Sequence, residues 1–506
     1  MPRLIPRLAP LLLLAALGSC RAPFVPDTGG ATPPPPPPPG PLLPLRIGAS
    51  GPDFARAVAT DPAGNAYVVS YFANTVDFDG GSSVTAKIAK GPYDIALAKY
   101  APDGTFQWVY SIGGTDVDVP YAVKIGPDGA AYVAGYATSG AICNDHVVPN
   151  HGDHDILLMR VTSEGTCDWA IGVGGTGPDE AHDLAIDTNG DLLVTGFFSD
   201  TVDFDPGAGA TSLISRGGTD IFVARYGSDG SFKNVSQFGG LGDDAGNALA
   251  IRTDGDIVAG GSFSGGAVFG SVLAPLTLIS AGGLDYFVAR LSTSLDLEWA
   301  IRGGGGGDDM INPGCIVANP TGLLYVAGTF NGFASVGPGV GGQALLSHGG
   351  ADIFLVGYDG NGDWTGFARV IGGTGTDAVG SLAQDVAGNF YLSGSFQGAV
   401  DFDPGSGTHV VNGQGTGGAS DAFVLSLSPG GDLRWVNPLT AVISGDTFLS
   451  IANGVSLASD GSIWAVGRFF GLVDFDPGSA DVSRQSVGDA DQFIVRYDQT
   501  TGSILR

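Results

Sequence analysis

Aspartates recur in this sequence at a spacing that could bring several carboxylates to one place. Each lies in a Gly-rich segment just before a short apolar stretch; two of the seven fit the count only after a small shift, and the series is Asp53, Asp118, Asp179, Asp244, Asp309, Asp377 and Asp446. A ring of such oxygen ligands would suit a hard cation such as Ca²⁺ or attract a cationic partner. The alternative is that each carboxylate caps its own loop by accepting backbone N–H bonds. Both interpretations are kept at this point.

A second group of metal-ligand residue types lies in one loop. His146, His151 and His154 fall within nine residues, beside Asp145 and Asp153. Imidazoles combined with carboxylates are typical of zinc-type sites. The loop has no counterpart elsewhere in the chain, so a solvated polar loop is the competing interpretation.

The phrase Asp-Phe-Asp-Pro-Gly begins at Asp203, Asp401 and Asp474, with a related phrase at Asp77. An EF-hand loop needs a bidentate Glu at its twelfth position. That position holds Ile214, Asn412 and Gln485 instead. The phrase therefore predicts a strand end, with the Phe packed inward, the Asp side chains toward solvent and a Pro-Gly turn.

Acid–base and nucleophilic motifs are not found. The chain has no Gly-x-Ser-x-Gly, His-Glu-x-x-His or phosphate-binding loop, and only three Glu and six His. We therefore predict no catalytic residue and no cofactor, apart from the Ca²⁺ that the Asp series could bind and the zinc-type ion that the histidine loop could bind. An Asp-based site stays open as an alternative, because 48 Asp would conceal any special pair.

The cysteines bear on redox state. Cys143 and Cys167 belong to one repeat, at positions that a simple meander places toward opposite ends of the sheet, too far apart for a bridge. Cys315 occupies an apolar strand. We therefore expect three reduced, buried thiols, with a disulfide as the alternative in an oxidising compartment.

Internal repetition organises the chain from about residue 45 onward. An Asp followed by an apolar strand, as in DIFVARY, begins at Asp94, Asp155, Asp220, Asp285, Asp352, Asp421 and Asp491. A Gly turn followed by an apolar strand, as in GAAYVAGYA, recurs in step at Gly64, Gly129, Gly190, Gly255, Gly322, Gly388 and Gly461. Both phrases count seven repeats of four predicted strands each. Four antiparallel strands repeated radially predict a β-propeller.

The repeated phrase GG-x-G-x-D, A-x-D-x-x-G-N-x-Y-V-x-G-x-F, V-D-F, D-I-F-V-A-R-Y, D-G, W resembles the bacterial seven-bladed β-propeller repeat proteins of cell surfaces. The resemblance covers residues 44–506 and implies an all-β propeller of four-stranded antiparallel blades. We expect residues 42–48 to pair with the third strand of blade seven and close the ring. The Asp that opens each third strand is expected to accept backbone N–H bonds. The Trp residues Trp108, Trp169, Trp299 and Trp435 are expected to pack between sheets.

The first residues resemble an export signal. Arg3 and Arg7, an apolar stretch too short to span a bilayer, and Leu17-Gly18-Ser19-Cys20 resemble a lipoprotein signal. This predicts a signal peptide over 1–19, lipidation of Cys20, and a linker over 20–43 with a stiff polyproline tract. An ordinary secretory signal is the alternative. Arg21 after the cysteine suggests transfer to the outer membrane or cell surface.

Composition limits the classes of function. Asp and Glu number 51 against 22 Lys and Arg, giving a net charge of −29, which argues against nucleic-acid binding. We expect a monomeric, lipid-anchored, non-catalytic envelope protein that acts as a binding or scaffold module for a protein, a glycan or a wall component. The alternative is a propeller lyase or hydrolase with an Asp-based site on one face.

Overall fold

The computed structural model describes residues 43–81, 83–270, 274–337, 343–415, 419–441, 449–476, 478 and 482–506. Every regular element in these ranges is a β-strand, and nearly all pairing is antiparallel. The chain from Gly40 to Arg506 forms one compact unit. Among the described residues, no helical segment combines the length and apolar character that crossing a bilayer demands. The fold is therefore the all-β propeller that the repeats predict.

Each sheet is a blade of four strands, which we call inner, second, third and outer. Inner strands are Asp53–Thr60, Val119–Ile125, Glu180–Ile186, Ala245–Ile251, Met310–Ala318, Ala378–Gln384 and Leu449–Leu457. Second strands are Ala66–Phe72, Ala131–Ala137, Leu192–Phe198, Ile257–Phe269, Leu324–Val336, Phe390–Phe396 and Ser462–Phe470. Third strands are Asp94–Tyr100, Asp155–Val161, Asp220–Tyr226, Leu276–Leu291, Gln343–Tyr358, Asp421–Leu427 and Asp491–Asp498. Outer strands of blades one to six are Phe106–Ile112, Cys167–Val173, Phe232–Gly240, Leu297–Gly305, Trp364–Gly373 and Leu433–Ala441.

A hairpin connects the second and third strands of each blade. Its strands are Thr75–Asp77 with Ala86–Ile88, Ile142–Cys143 with His146–Val147, Thr201–Asp203 with Ser212–Ile214, Ala399–Asp401 with Val410–Asn412, and Leu472–Asp474 with Ser483–Gln485. In blades four and five the hairpin is continuous with the second and third strands. Several hairpins also pair with the outer strand of the preceding blade, as where Gly239 and Gly240 face Val268 and Ala267. The hairpins thus join neighbouring sheets.

Blade seven takes its outer strand from the start of the chain. Leu45–Ile47 pairs antiparallel with Asp491–Asp498, so that Leu45 faces Ile494 and Ile47 faces Gln492. The backbone N–H of Leu505 donates to the Arg496 carbonyl further along the same third strand. This is the pairing that the sequence predicts for residues 42–48. Each inner strand contacts the inner strand of the next blade, and those of blades seven and one also touch; we infer that the seven sheets form one closed ring.

The hydrophobic core lies between the faces of adjacent blades. Second and third strands are buried on both faces, which is why they read as continuous apolar runs rather than as alternating patterns. The predicted Trp residues lie at these junctions: Trp108 donates from Nε1 to the Ser163 carbonyl of blade two at 2.9 Å. Gly165 has a φ of +84°, and a Cβ there would meet the Trp108 ring at 2.6 Å. A turn glycine likewise lies against the Trp of the preceding blade at Gly230, Gly362 and Gly502, which face Trp169, Trp299 and Trp435.

The cysteine prediction is wrong for blade two. Cys143 and Cys167 form a disulfide with their Cα atoms 5.8 Å apart. The hairpin folds back onto the outer strand, so positions that a flat meander would separate come together. In blade one the corresponding region is filled by rings: Tyr100 Oη donates to the Phe78 carbonyl at 3.0 Å, and Tyr100 packs 5.9 Å from Phe106. Cys315 is a free, buried thiol as expected, and burial raises its pKa.

Candidate functional site

The Asp series marks the junctions between blades. Six of its members are buried, and each accepts two backbone N–H bonds. Asp118 is representative: one oxygen accepts from Gly114 at 2.6 Å, and the other accepts from Thr138 at 2.6 Å. The same pair of bonds recurs at Asp53, Asp179, Asp244, Asp309 and Asp377. This geometry corresponds to the capping alternative, with each carboxylate holding its loop to the end of its second strand.

The seventh member, Asp446, lies outside the described residues. The equivalent of Asp377 in blade seven is Ser450, because Asp377 donates its N–H to Ala351 before one third strand and Ser450 donates to Ser420 before the next. Ser450 Oγ accepts from Ala422 at 2.8 Å. Within the described ranges, no three His, Cys, Asp or Glu side chains are grouped as metal ligands. Calcium binding stays a prediction, and its measurement is calcium-dependent thermal stabilisation of the intact chain.

Burial changes the protonation of these caps. Desolvation raises the pKa of Asp53 and Asp179 to about 7 despite their N–H bonds. It raises the pKa of Asp118, Asp244 and Asp309 to about 6, as it does for Asp377. The Asp that opens the third strand of the preceding blade adds a like charge, as Asp491 does for Asp53. The six junctions capped by Asp53, Asp118, Asp179, Asp244, Asp309 and Asp377 thus each hold two close carboxyl groups, which favours uptake of a proton.

The Asp that opens each third strand caps a loop, as predicted. Asp155 accepts from the His151 backbone at 2.6 Å, and Asp491 accepts from Val487 at 3.0 Å. This Asp also explains the first Gly of the GG phrase, because a Cβ at Gly113 would lie 2.3 Å from the Asp94 carboxyl carbon. The phrase GG-x-G-x-D is therefore an inter-blade contact rather than a ligand site.

The histidine loop does not gather its imidazoles around one point. His146 is exposed, and His151 Nδ1 lies 3.0 Å from Asp155. His154 Nε2 lies 3.1 Å from Glu180 at the start of the next blade.

In the Asp-Phe-Asp-Pro-Gly loops the Phe is buried as predicted, and the first Asp holds the hairpin: Asp203 accepts from Thr211 at 2.7 Å.

Side chains that do not follow the repeat gather at one mouth of the central channel. We call this end of the propeller the upper face, where the chain enters the inner strands and where second strands lead toward third strands. Each inner strand has a β-bulge, and the extra residue is Arg56 in blade one and Tyr121 in blade two. The bulge re-aims this residue toward the channel, a common use of β-bulges near sites. The cavity there measures about 600 Å³, and its lining includes Arg56, Tyr121 and His182.

Equivalent positions differ sharply around the ring. In six blades one residue is extra, and from blade one onward these are Arg56, Tyr121, His182, Asn247, Gly380 in blade six and Asn453 in blade seven. In blade five the irregularity is longer, spanning 312–315, and it begins with Asn312. A second position to compare lies in the second strand, directly before the residue that pairs with the third-strand Asp. From blade one to blade seven it holds Tyr71, Tyr136, Phe197, Ser262, Thr329, Ser395 and Arg468. Blades one to three carry aromatic and charged side chains where blades four to six carry small ones.

The large side chains form a half-exposed surface made of two groups of rings, which we call the aromatic crescent. One group is Phe54, Tyr71 and Tyr93, and the other is Tyr121, Tyr136, His154, His182 and Phe197. Arg56 joins the groups by contacting both Tyr71 and Tyr121. Ring centroids of Phe54 and Tyr71 are 4.8 Å apart, and those of Tyr71 and Tyr93 are 5.3 Å apart. Tyr121 lies 4.8 Å from His182, which in turn lies 5.4 Å from Phe197. Such a surface, apolar with a few placed polar groups, is typical of ligand sites.

Glu180 organises the polar side of the crescent. Its two oxygens each contact an imidazole, His154 at 3.1 Å and His182 at 3.1 Å. Burial alone would raise the pKa of Glu180, but the hydrogen bonds from His154 and His182 lower it to about 2. Burial would lower the pKa of His154, but Glu180 raises it. His182 Nδ1 reaches Asn247 Oδ1 at 2.8 Å, so the network extends to blade four.

Sequence reasoning missed the crescent. Only His154 was among the predicted site residues, and it was assigned to a metal rather than to Glu180. The available signal was the set of repeat positions that change residue type between blades, such as Tyr71 against Ser262. Residues that recur in every blade identify the strands and loops that build the propeller, which we call the frame. A site on one sector of the ring is made of residues that do not recur, so a search for repeats does not find it.

Comparison with known proteins supports a repeat protein without identifying a family. The chain matches no protein-family profile. It is 26% identical over 461 residues to the regulatory protein FlaEY of Caulobacter vibrioides, covering 87% of this chain and 46% of that protein. It is 22% identical over 342 residues to an uncharacterised WD repeat-containing protein of Acanthamoeba polyphaga mimivirus, covering 56% and 24%. The chain thus spans less than half the length of either curated relative.

A solved structure from Dyadobacter fermentans, of unknown function, is similar at a TM-score of 0.36 and 12% identity, covering 72% of this chain and 96% of that one. The chain's own strand pairing therefore establishes its fold: this is a β-propeller with an asymmetric upper mouth.

Proposed function

We propose that this chain is a cell-envelope binding module that holds a glycan at the aromatic crescent. The observation that carries the proposal is the replacement of small residues by aromatic and charged ones on one sector of the upper mouth. A sugar ring has an apolar C–H face that packs on aromatic rings and a hydroxyl edge that needs hydrogen-bonding partners. Tyr71 and Tyr121 supply the first kind of contact, and His154, His182 and Glu180 supply the second.

Lipid anchoring of the chain is a second part of the proposal. The N-terminal sequence up to Cys20 supports lipid anchoring at the outer membrane or cell surface, and the Pro-rich linker would hold the propeller off the bilayer. Cys20→Ser should abolish labelling with palmitate and release the protein from membranes. A Cys20→Ser chain that still incorporates palmitate would contradict the anchor.

The binding proposal is tested with the purified full chain on an immobilised panel of neutral and acidic polysaccharides, with envelope proteins as a further arm. The test variant combines Tyr71→Ser and Tyr121→Asn, which installs the residues that blade four has at the same positions. We expect glycan binding to weaken by about ten-fold or more, because two stacking contacts are lost. The matched control is Phe333→Ser, which removes a 54% exposed ring on a hairpin of blade five.

Equal glycan binding by both variants, or binding of protein but of no glycan, would contradict the proposal. The enzymatic alternative has its own readout, which is cleavage of the bound glycan during incubation. The buried Asp caps at this mouth accept backbone N–H bonds, as Asp118 and Asp179 do, and a Glu180 pKa of about 2 makes it a poor general acid. We therefore expect the glycan to be recovered intact.

A further inference from the structure

Two arginines lie at the upper mouth of the channel. Arg56 lies on the inner strand of blade one, and Arg468 lies on the second strand of blade seven. Neither forms an ion pair with a carboxylate in the part of the chain that the structure describes. Arginines of the third strands, such as Arg225 with Asp187 at 2.6 Å, are paired with carboxylates. Arg369 and Arg434 also lack a carboxylate, but Arg369 donates to the Gly430 carbonyl and Arg434 to the Tyr391 hydroxyl.

Aromatic rings hold both guanidinium groups in place. The Arg56 Cζ atom lies 4.7 Å from the Tyr121 ring centroid and 6.0 Å from that of Tyr71. The Arg468 Cζ atom lies 4.5 Å from the Phe54 centroid. A cation–π contact fixes the orientation of a guanidinium group but does not use its N–H donors, which can still donate hydrogen bonds to a ligand. The two cations are therefore pre-positioned on the aromatic crescent itself.

The two arginines are close enough to affect each other. Burial lowers the pKa of Arg468, and the charge of Arg56 lowers it further, while the Tyr71 hydroxyl partly opposes both. Arg468 Nε is buried without a hydrogen-bond partner. A buried donor without a partner and two adjacent like charges are each unfavourable, and one bound anion would relieve both.

The repeat frame does not need these residues. At the Arg56 position other blades have Tyr, His, Asn or Gly, and at the Arg468 position they have Tyr, Phe, Ser or Thr, with the same strand pairing throughout. Two residues from blades that are adjacent only through ring closure thus converge on one point of the mouth. This convergence indicates a ligand contact rather than a contribution to blade folding.

We propose that Arg56 and Arg468 bind the carboxylate of a uronic acid residue, so that the ligand of the crescent is an acidic glycan. The inference rests on the proposed function, because the crescent must bind sugar for the carboxylate to be placed. A uronate carries its carboxylate on the pyranose ring, so one residue can stack on Phe54 or Tyr71 while its carboxylate accepts from both guanidinium groups. A carboxylate matches the planar fork of Arg through paired hydrogen bonds.

The experiment uses the full chain and isothermal titration with oligogalacturonate and with its methyl ester, in which a methyl group replaces the negative charge of each carboxylate. We expect the acid form to bind about ten- to hundred-fold more tightly than the ester, since a charge-assisted hydrogen-bond pair is lost in the ester. Arg56→Gln and Arg468→Gln should each remove most of this difference, because each weakens binding of the acid far more than binding of the ester. The control is Arg216→Gln, which removes a cation whose guanidinium donates to the Gly239 carbonyl at 3.0 Å, away from the crescent.

The outcomes separate the two proposals. Equal binding of acid and ester, unaffected by either substitution, would overturn the carboxylate contact while leaving the glycan site intact. Binding of neither sugar, together with failure on the polysaccharide panel, would overturn the proposed function as well. Preference for a phosphate-bearing glycan polymer over the uronate would overturn the carboxylate assignment. If a substitution prevents folding, the salt dependence of wild-type binding decides, because a two-arginine contact must weaken steeply with ionic strength.

Discussion

Blades one to three and blades four to six share one backbone and differ at their upper mouth. In both sectors an Asp caps the loop before the inner strand, as Asp179 does with Gly175 at 2.7 Å and Asp377 does with Gly373 at 2.7 Å. The side chains that face the channel are nevertheless aromatic or charged in the first sector and small in the second. The frame therefore tolerates any residue at the bulge, and what occupies the bulge is free to serve a ligand.

This contrast separates residues that build the ring from residues that use it. Frame residues are buried and repeat in nearly every blade, whereas crescent residues are half-exposed and occur in only some blades. Three experiments test this distinction.

The largest effect is expected from the caps. Asp179→Ala and Asp377→Ala each remove the acceptor of two backbone N–H groups, so each should destabilise the fold by about 4 kcal/mol, at ~2 kcal/mol for each buried donor left without a partner. Chemical denaturation measures both. The control, Asp229→Ala, removes an exposed turn residue whose loss should cost under about 1 kcal/mol. A large loss in one sector and none in the other would refute the idea of a common frame.

A slightly smaller effect is expected from the disulfide, which only blade two possesses. Cys143→Ser with Cys167→Ser opens a crosslink between residues 24 apart in sequence, which should cost about 3 kcal/mol. Calorimetry with and without reductant measures it in the wild-type chain. Reductant should change nothing in the double variant. An unchanged unfolding temperature of the reduced wild type would mean that the hairpin is held by packing alone, as in blade one.

The smallest effect is a pH dependence common to both sectors. The cap pKa values of about 6 to 7 lie above the unfolded value, so protonation favours the folded state. This stabilisation is complete below about pH 4 and is lost as the pH rises through the folded pKa. Carboxylates with lowered pKa values, such as Glu180 and Asp61, have the opposite pH dependence. The stability that they contribute is lost only as the pH falls below about 4.

We therefore expect the unfolding temperature to fall by several degrees between about pH 5 and pH 8. Asp377→Asn should make this slope shallower. An unfolding temperature that rises between about pH 5 and pH 8 would show that the caps are ionised over this whole range.

The sequence predicts the frame well because the frame repeats. Seven copies of two phrases identify strands, turns, the capping Asp of the third strand and the Trp contact without any alignment. Cys143 and Cys167 were misjudged because a meander drawn flat does not show that the hairpin folds back on the outer strand. Asp446 lies outside the described residues and stays a prediction, while Ser450 occupies the position in blade seven that is equivalent to Asp377. The crescent was missed because Tyr71, Tyr121 and Arg468 are exceptions to the repeat.

Ring closure by the chain's first described strand has a mechanical consequence. Leu45–Ile47 is held by three residue pairs and the Arg46–Asp491 contact at 2.7 Å, whereas the other blades have outer strands of seven to ten residues. The same segment is the first part of the propeller that follows the proposed tether. If a surface polymer pulls on the upper mouth while the lipid holds the other end, the whole load crosses these three residues. The seam of the ring would then be the first element to yield under force, and it would set how strongly the protein can hold its ligand against flow.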